Sequence, residues 1–142
     1  MSPSSGFTAL RRIVAARAQG YCEYCRCSER FATESFTLEH IQPRAKGGKD
    51  TLDNLAWSCL GCNSHKHTKT VAIDPVTGTT VPLFNPRQQL WHNHFEWSED
   101  FTTIIGTSPI DRATVEALRL NRLGIVNLRC VLAASGLHPP TL

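Results

Sequence analysis

The chain has 142 residues, a formal net charge of +3 and 41% hydrophobic residues. This length fits one domain, or a small module with an extension, and allows a modest core. No run approaches the ~18 apolar residues of a membrane span, and Met1–Gly6 lacks the charged and apolar regions of a secretory leader, so a cytoplasmic location is expected.

In chain order, Thr8 to Gln19 reads as a helix. Ala9, Leu10, Ile13, Val14 and Ala16 form an apolar stripe, and Gly20 stops it. A first cysteine knuckle comes next in Tyr21–Cys25, and residues 26–35 are polar and irregular. Phe36–Ile41 alternates as a strand does, with Pro43 ending it. Ala45–Asp50, with Gly47 and Gly48, reads as a turn or short loop. Thr51–Trp57 then returns the chain, with a second strand around Leu55–Ser58. After the second knuckle, Cys59–Cys62, the segment Asn63–His67 reads as one to two turns of helix.

The second half is expected to begin with a turn at Asp74–Gly78 and a strand at Thr79–Leu83. Asn85 and Pro86 suggest an N-cap and first helical residue running toward Trp91. Phe95–Ser98 and Thr102–Ile105 can pair around Glu99-Asp100. A helix starting at Ser108-Pro109 carries Val115, Leu118 and Leu120 and breaks near Asn121. A last helix, Ile125 to Ser135, closes at Gly136. The division expected is residues 1–70 as a core with its N-terminal helix and 71–142 as a C-terminal extension. There is no internal repeat.

Charge is unevenly spread. Residues 1–70 hold ten Lys/Arg against six acids, and residues 71–142 hold five against six. Positive charge in the first half suits a polyanionic partner. Of the six cysteines, Cys22, Cys25, Cys59 and Cys62 form two Cys-x2-Cys pairs. Without a leader, disulfides are not expected. Two such pairs read as one tetrahedral zinc site. Cys27 is near enough to be a rival ligand, and Cys130 is left over.

Between the knuckles and just beyond them lies a set of residues suited to phosphodiester hydrolysis. That reaction needs an activated water, a base and positive charge at the phosphate. His40 is the candidate base. Asn54 is the candidate organiser of the loop beside it. Glu39, with Asn63 and His67 four residues apart on one helix face, is a candidate ligand set for a divalent ion such as Mg2+ or Mn2+. Glu39 and His40 are neighbours, so a regular strand points them to opposite faces. The strand is therefore expected to end or twist at His40. Arg44, Lys46, Lys49 and Lys66 are candidate phosphate contacts.

Glu39-His40-Ile41-x-Pro43, Gly47-Gly48, Leu52-x-Asn54-Leu55 and Cys59-x2-Cys62-Asn63 together resemble the HNH endonucleases, including the HNH domains of restriction, phage, homing and CRISPR nucleases. The resemblance covers roughly residues 20–68. It implies an α+β fold built on a ββα-metal finger, with His40 as general base and Asn54 orienting the catalytic loop. It also implies Glu39 and Asn63 as metal ligands, His67 as a further one, and the four cysteines as a structural zinc clamp. Glu39 stands where aspartate is commoner in the family. The tail is similar to the segment beyond the finger in a bacterial HNH subfamily, in Asp74-Pro75-x-Thr77-Gly78, Pro82–Arg87, Trp91-x2-His94-Phe95-x-Trp97 and Arg112–Asn121.

The function expected is a metal-dependent endonuclease acting on DNA, with RNA as a possible substrate. The alternative is a non-catalytic zinc module that binds nucleic acid. The C-terminal extension is a candidate homodimer interface. His92 and His94 share an aromatic segment with Trp91, Phe95 and Trp97, which points to packing.

Overall fold

The structure, a computed structural model, describes residues 4–142, with side chains from Gly6 onward. It is an α+β chain of helices and three two-stranded antiparallel sheets. Helix α1 spans Ser4–Arg17. Its buried line is Val14 with Leu10 behind it, continued just past its end by Ala18, while Ile13 is half-exposed. The buried face is thus narrower than the stripe expected from sequence. Gln19 (φ 56°) and Gly20 (φ 76°) then reverse the chain, a left-handed exit that glycine adopts without strain.

Strands β1 (Thr37–His40) and β2 (Leu55–Ser58) form the central hairpin, with Glu39 opposite Ala56 and His40 opposite Leu55. All four β2 residues are buried. α1 lies across this hairpin and braces it with arginines. Arg11 donates to the Phe36 carbonyl at 2.7 Å and sits over the Trp57 ring. Arg17 donates to the carbonyls of Leu52 and Leu55. Helix α2 (Leu60–Lys66) comes directly after β2. The order strand, loop, strand, helix matches the sequence expectation.

The first knuckle is joined to the edge of β2. Glu23 N–H donates to the Trp57 carbonyl at 2.9 Å, and Trp57 N–H donates to the Glu23 carboxylate at 2.7 Å. Because Trp57 lies two residues before Cys59, this pairing brings the two knuckles side by side.

Beyond α2, β3 (Val71–Ile73) pairs with β4 (Thr80–Pro82), and β5 (Phe95–Trp97) with β6 (Ile104–Gly106). The helix expected from Asn85 does not form. Asn85 Oδ1 instead accepts the Arg87 N–H in a side-chain turn, Leu90 stays extended, and a single turn α3 starts at Trp91 and ends at His94. Asn and Asp side chains compete with the helix ladder in this way. Helix α4 spans Pro109–Ala117 and ends two residues before Arg119, whose φ is 48°. Helix α5 spans Leu123–Ala134.

One hydrophobic cluster contains residues from both sides of position 70, including Val14, Leu55 and Trp57 with Phe84, Trp91, Leu118 and Ile125. Buried polar groups staple the tail to it. Asp74 takes a two-pronged pair from Arg112, at 3.0 and 2.9 Å. Phe84 N–H donates to Thr114 Oγ1, and Trp91 Nε1–H donates to the Tyr24 carbonyl at 2.8 Å. His94 meets Asp111 at 2.5 Å and packs edge-on to Phe84, so it serves packing as expected. Arg129, 2% exposed, donates to the carbonyls of Cys25, Leu120 and Thr102 and to Asn121 Oδ1. Most of the tail motifs read from sequence are therefore buried hydrogen-bonding staples.

Asp74 yields a pH prediction. The Arg112 guanidinium, with bonds from Thr77 and the Val76 and Thr77 amides, holds its carboxyl well below the usual carboxylate range. A folded-state pKa below the unfolded value of ~3.9 adds stability above that pH, and the gain is lost as pH falls toward the folded value. Asp74→Asn should lower the melting temperature at neutral pH. Thermal melts from pH 7 to pH 2 should show the gap to wild type narrowing in acid; a gap constant across that range would refute this role.

Candidate functional site

β1 ends at His40, and the loop beyond it is shaped by Asn54. Its side-chain oxygen accepts the Gln42 N–H at 2.8 Å, and its amide donates to the carbonyls of Gln42 and Lys49 at 3.0 and 2.9 Å. One side chain thus ties both ends of the loop to the start of β2. The glycines fit the same turn. Gly47 has φ 87°, and a Cβ on Gly48 would lie 1.7 Å from the Gln42 carbonyl oxygen. No larger residue fits at Gly48 without moving the loop.

His40 is partly exposed, while Glu39 is 2% exposed, so the pleat separates them as strand geometry requires. Both still border one cleft of about 520 Å3, together with Asn63, His67 and Arg44. Arg11 and Phe7 of α1 also line it. His40 Nε2 lies 2.7 Å from Asp50 Oδ1. The same oxygen accepts Arg44 Nε and pairs with its Nη2, both at 2.9 Å. The bonds from Arg44 and then His40 hold the Asp50 carboxyl below its ordinary range. An ionised carboxylate only accepts, so in the neutral ring Nε2 carries the proton and Nδ1 keeps a free lone pair. Asp50 was not among the residues expected from sequence, because it lies ten residues away in a loop. The aspartate at the loop's far end was its only signal.

Glu39 turns toward α2. Its Oε2 accepts the Tyr24 hydroxyl at 2.5 Å, and Oε1 pairs with Lys66 Nζ at 2.5 Å. Burial pushes the Glu39 carboxyl up, and the Lys66 ammonium works against that. Lys66 also donates to the carbonyls of His40 and Ile41 at 3.1 and 3.0 Å. Lys66 was expected at the nucleic-acid face, but it is 1% exposed. An ion pair with a buried carboxylate draws it inward, so it is no surface phosphate contact. Arg44, Lys46 and Lys49 lie around the glycine loop, all three exposed.

Asn63 and His67 are related by one helical turn, with the His67 N–H donating to the Asn63 carbonyl at 2.9 Å. His67 is the residue just past α2, at φ 50° and ψ −120°. That backbone is rarely adopted outside glycine, and such outliers cluster at ligand sites. Tyr24 and Lys66 occupy part of the four lone-pair positions of the Glu39 carboxylate. Carboxylate, amide and imidazole around one cleft are a donor set that can take a divalent ion.

The second centre is sulfur. The Sγ atoms of Cys22, Cys25, Cys59 and Cys62 lie within 4.8 Å of one another, all four residues are buried, and no disulfide joins them. Cys25 and Cys59 Sγ are 3.7 Å apart. A tetrahedral zinc with bonds of ~2.3 Å needs sulfurs roughly 3.8 Å apart. The four residues therefore fit a structural zinc. The Cys25 and Cys62 amides donate to the Cys22 and Cys59 sulfurs in turn. Cys27 Sγ lies 3.3 Å from Cys25 Sγ, beside the cluster.

Zinc coordination is folding free energy, on the order of 10 kcal/mol in small sites. Wild-type protein should contain one zinc per chain by elemental analysis, and Cys59→Ser should lose the metal and much of its solubility. A soluble Cys59→Ser protein that melts like wild type would refute the clamp.

Residues 22–69, about a third of the chain, match the family model described as HNH endonuclease. No curated protein and no solved structure matches the chain. The matched residues run from the first cysteine of the cluster to just past His67, so one segment spans both centres. Residues 22–69 thus form the part of the chain similar to the HNH endonuclease family, with a four-cysteine cluster of zinc type built into it.

Proposed function

We propose that this protein is a metal-dependent endonuclease that hydrolyses DNA phosphodiester bonds. The observation that carries the reading is His40. Its ring stands at an open cleft, fixed through Nε2 by an ionised carboxylate, with the Nδ1 lone pair free. In this reading Nδ1 takes the proton of the attacking water, and Asp50 holds the ring so that this nitrogen faces the phosphate. Asn54 keeps the loop that carries Asp50 in place.

Glu39, Asn63 and His67 are the residues that would hold a divalent ion such as Mg2+ or Mn2+. Bound there, it supplies positive charge for the phosphorane and the leaving oxygen. Tyr24 and Lys66 orient the Glu39 carboxylate. Arg44, Lys46 and Lys49 are suited to hold flanking phosphates at the cleft mouth.

A rival reading draws on Lys66. An ammonium already balances Glu39, as it would in a zinc-stabilised module that binds nucleic acid without cutting it.

Supercoiled plasmid incubated with Mg2+ or Mn2+ separates the two. Wild type should nick it, EDTA should stop the nicking, and His40→Ala should be slower by about 10²–10⁴-fold, the usual contribution of a positioned base. Asp50→Ala should lose less than His40→Ala, since the base remains but its ring is free to turn. Binding without EDTA-sensitive nicking, equal in wild type and His40→Ala, would establish the rival reading.

A further inference from the structure

The cysteine cluster has a neighbour that the knuckles do not supply. Arg122, at the N-cap of α5, reaches back across nearly half the chain. Its Nη2 lies 3.3 Å from Cys59 Sγ and its Nη1 3.6 Å from Cys62 Sγ. Nη1 also donates to the Arg119 carbonyl at 3.1 Å, which fixes the fork. Gly61, between the two cysteines, leaves the space. A Cβ there would fall 2.5 Å from Nη2 and 2.9 Å from Cζ of Arg122. The backbone at Gly61 is helical, so the small residue is explained by the guanidinium above it, not by conformation.

We propose that Arg122 is a positioning residue for the metal centre. Its guanidinium donates to both sulfurs of the second knuckle and offsets the charge of the thiolate cluster, so zinc retention depends on the C-terminal half.

Charge is the deciding term. Four thiolates around a divalent ion leave a net negative charge in a buried place. Two backbone amides meet Cys22 and Cys59 but carry no charge. Arg122 is the side chain that forms hydrogen bonds to the sulfurs of Cys59 and Cys62. Arg26 and Arg129 add positive charge near Cys25 without such a bond to sulfur. Partners in the outer shell of a metal site typically set affinity by about 10–100-fold. A guanidinium presents a rigid fork that can meet two sulfurs at once, whereas the ammonium of lysine is a single point charge.

The test measures zinc affinity of the full chain by competition with a coloured chelator, 4-(2-pyridylazo)resorcinol. Arg122→Met should bind zinc at least ~10-fold more weakly than wild type, with Arg122→Lys between them. Gly61→Ala is the decisive arm. Alanine favours a helix over glycine, and the nearest atoms its Cβ would meet all belong to the Arg122 guanidinium. It should weaken zinc binding as Arg122→Met does. Arg112→Ala serves as the control, because it loosens the tail without touching sulfur; it should lower the melting temperature and leave zinc affinity unchanged. Wild-type affinity in both Gly61→Ala and Arg122→Met would overturn the proposal. So would a loss in Arg112→Ala as large as that in Arg122→Met.

Discussion

The buried pair between Glu39 and Lys66 is the contact on which the rest of the domain depends. It joins the last turn of α2 to the end of β1, and the same ammonium takes the carbonyls of His40 and Ile41. Those two carbonyls sit where the strand ladder stops and the loop begins, and without Lys66 each would lose a donor. Removing one member of such a pair costs about 3–5 kcal/mol, because the other is left charged and dry. The pair therefore fixes α2 relative to the hairpin at the point where Asn63, His67 and His40 line one cleft.

The pleat explains how two adjacent residues can serve different ends. Glu39 faces α2 and is buried; His40 faces the loop and is reached from outside. No twist is needed within the strand, because the cleft wraps its end and borders both residues. The loop then supplies what the strand cannot. Asp50 reaches back ten residues to the imidazole, and Asn54 holds the loop closed by three hydrogen bonds to backbone groups.

Much of this was legible in sequence where the signal was local. The cysteine pairs, the strand at residues 37–40, the glycine turn and the order of the finger all rest on spacing and turn chemistry. Features that could not be read depend on partners far apart in the chain. Lys66 looked like a surface cation because nothing in its neighbourhood announces Glu39, twenty-seven residues earlier. Asp50 looked like loop polarity. Asn85-Pro86 resembled a helix start, and only the side-chain turn onto Arg87 tells it apart. The tail's motifs were visible, but their meaning was not. Asp74, Thr114 and Asn121 are defined by Arg112, Phe84 and Ile104, each at least seventeen residues away.

α2 shows why the two centres belong in one segment. A helix of seven residues is too short to hold its own geometry in water. Its N-terminal end is pinned through Cys59 and Cys62, and its C-terminal end through Lys66. Asn63 and His67 are placed by these two anchors, not by helix propensity. Loosening the sulfur end would rotate or fray the helix that brings Asn63 and His67 to the cleft beside His40. The arginine that the C-terminal half extends to Cys59 and Cys62 therefore meets this short helix at its sulfur end. The extension need contribute no residue to the cleft to matter for its geometry.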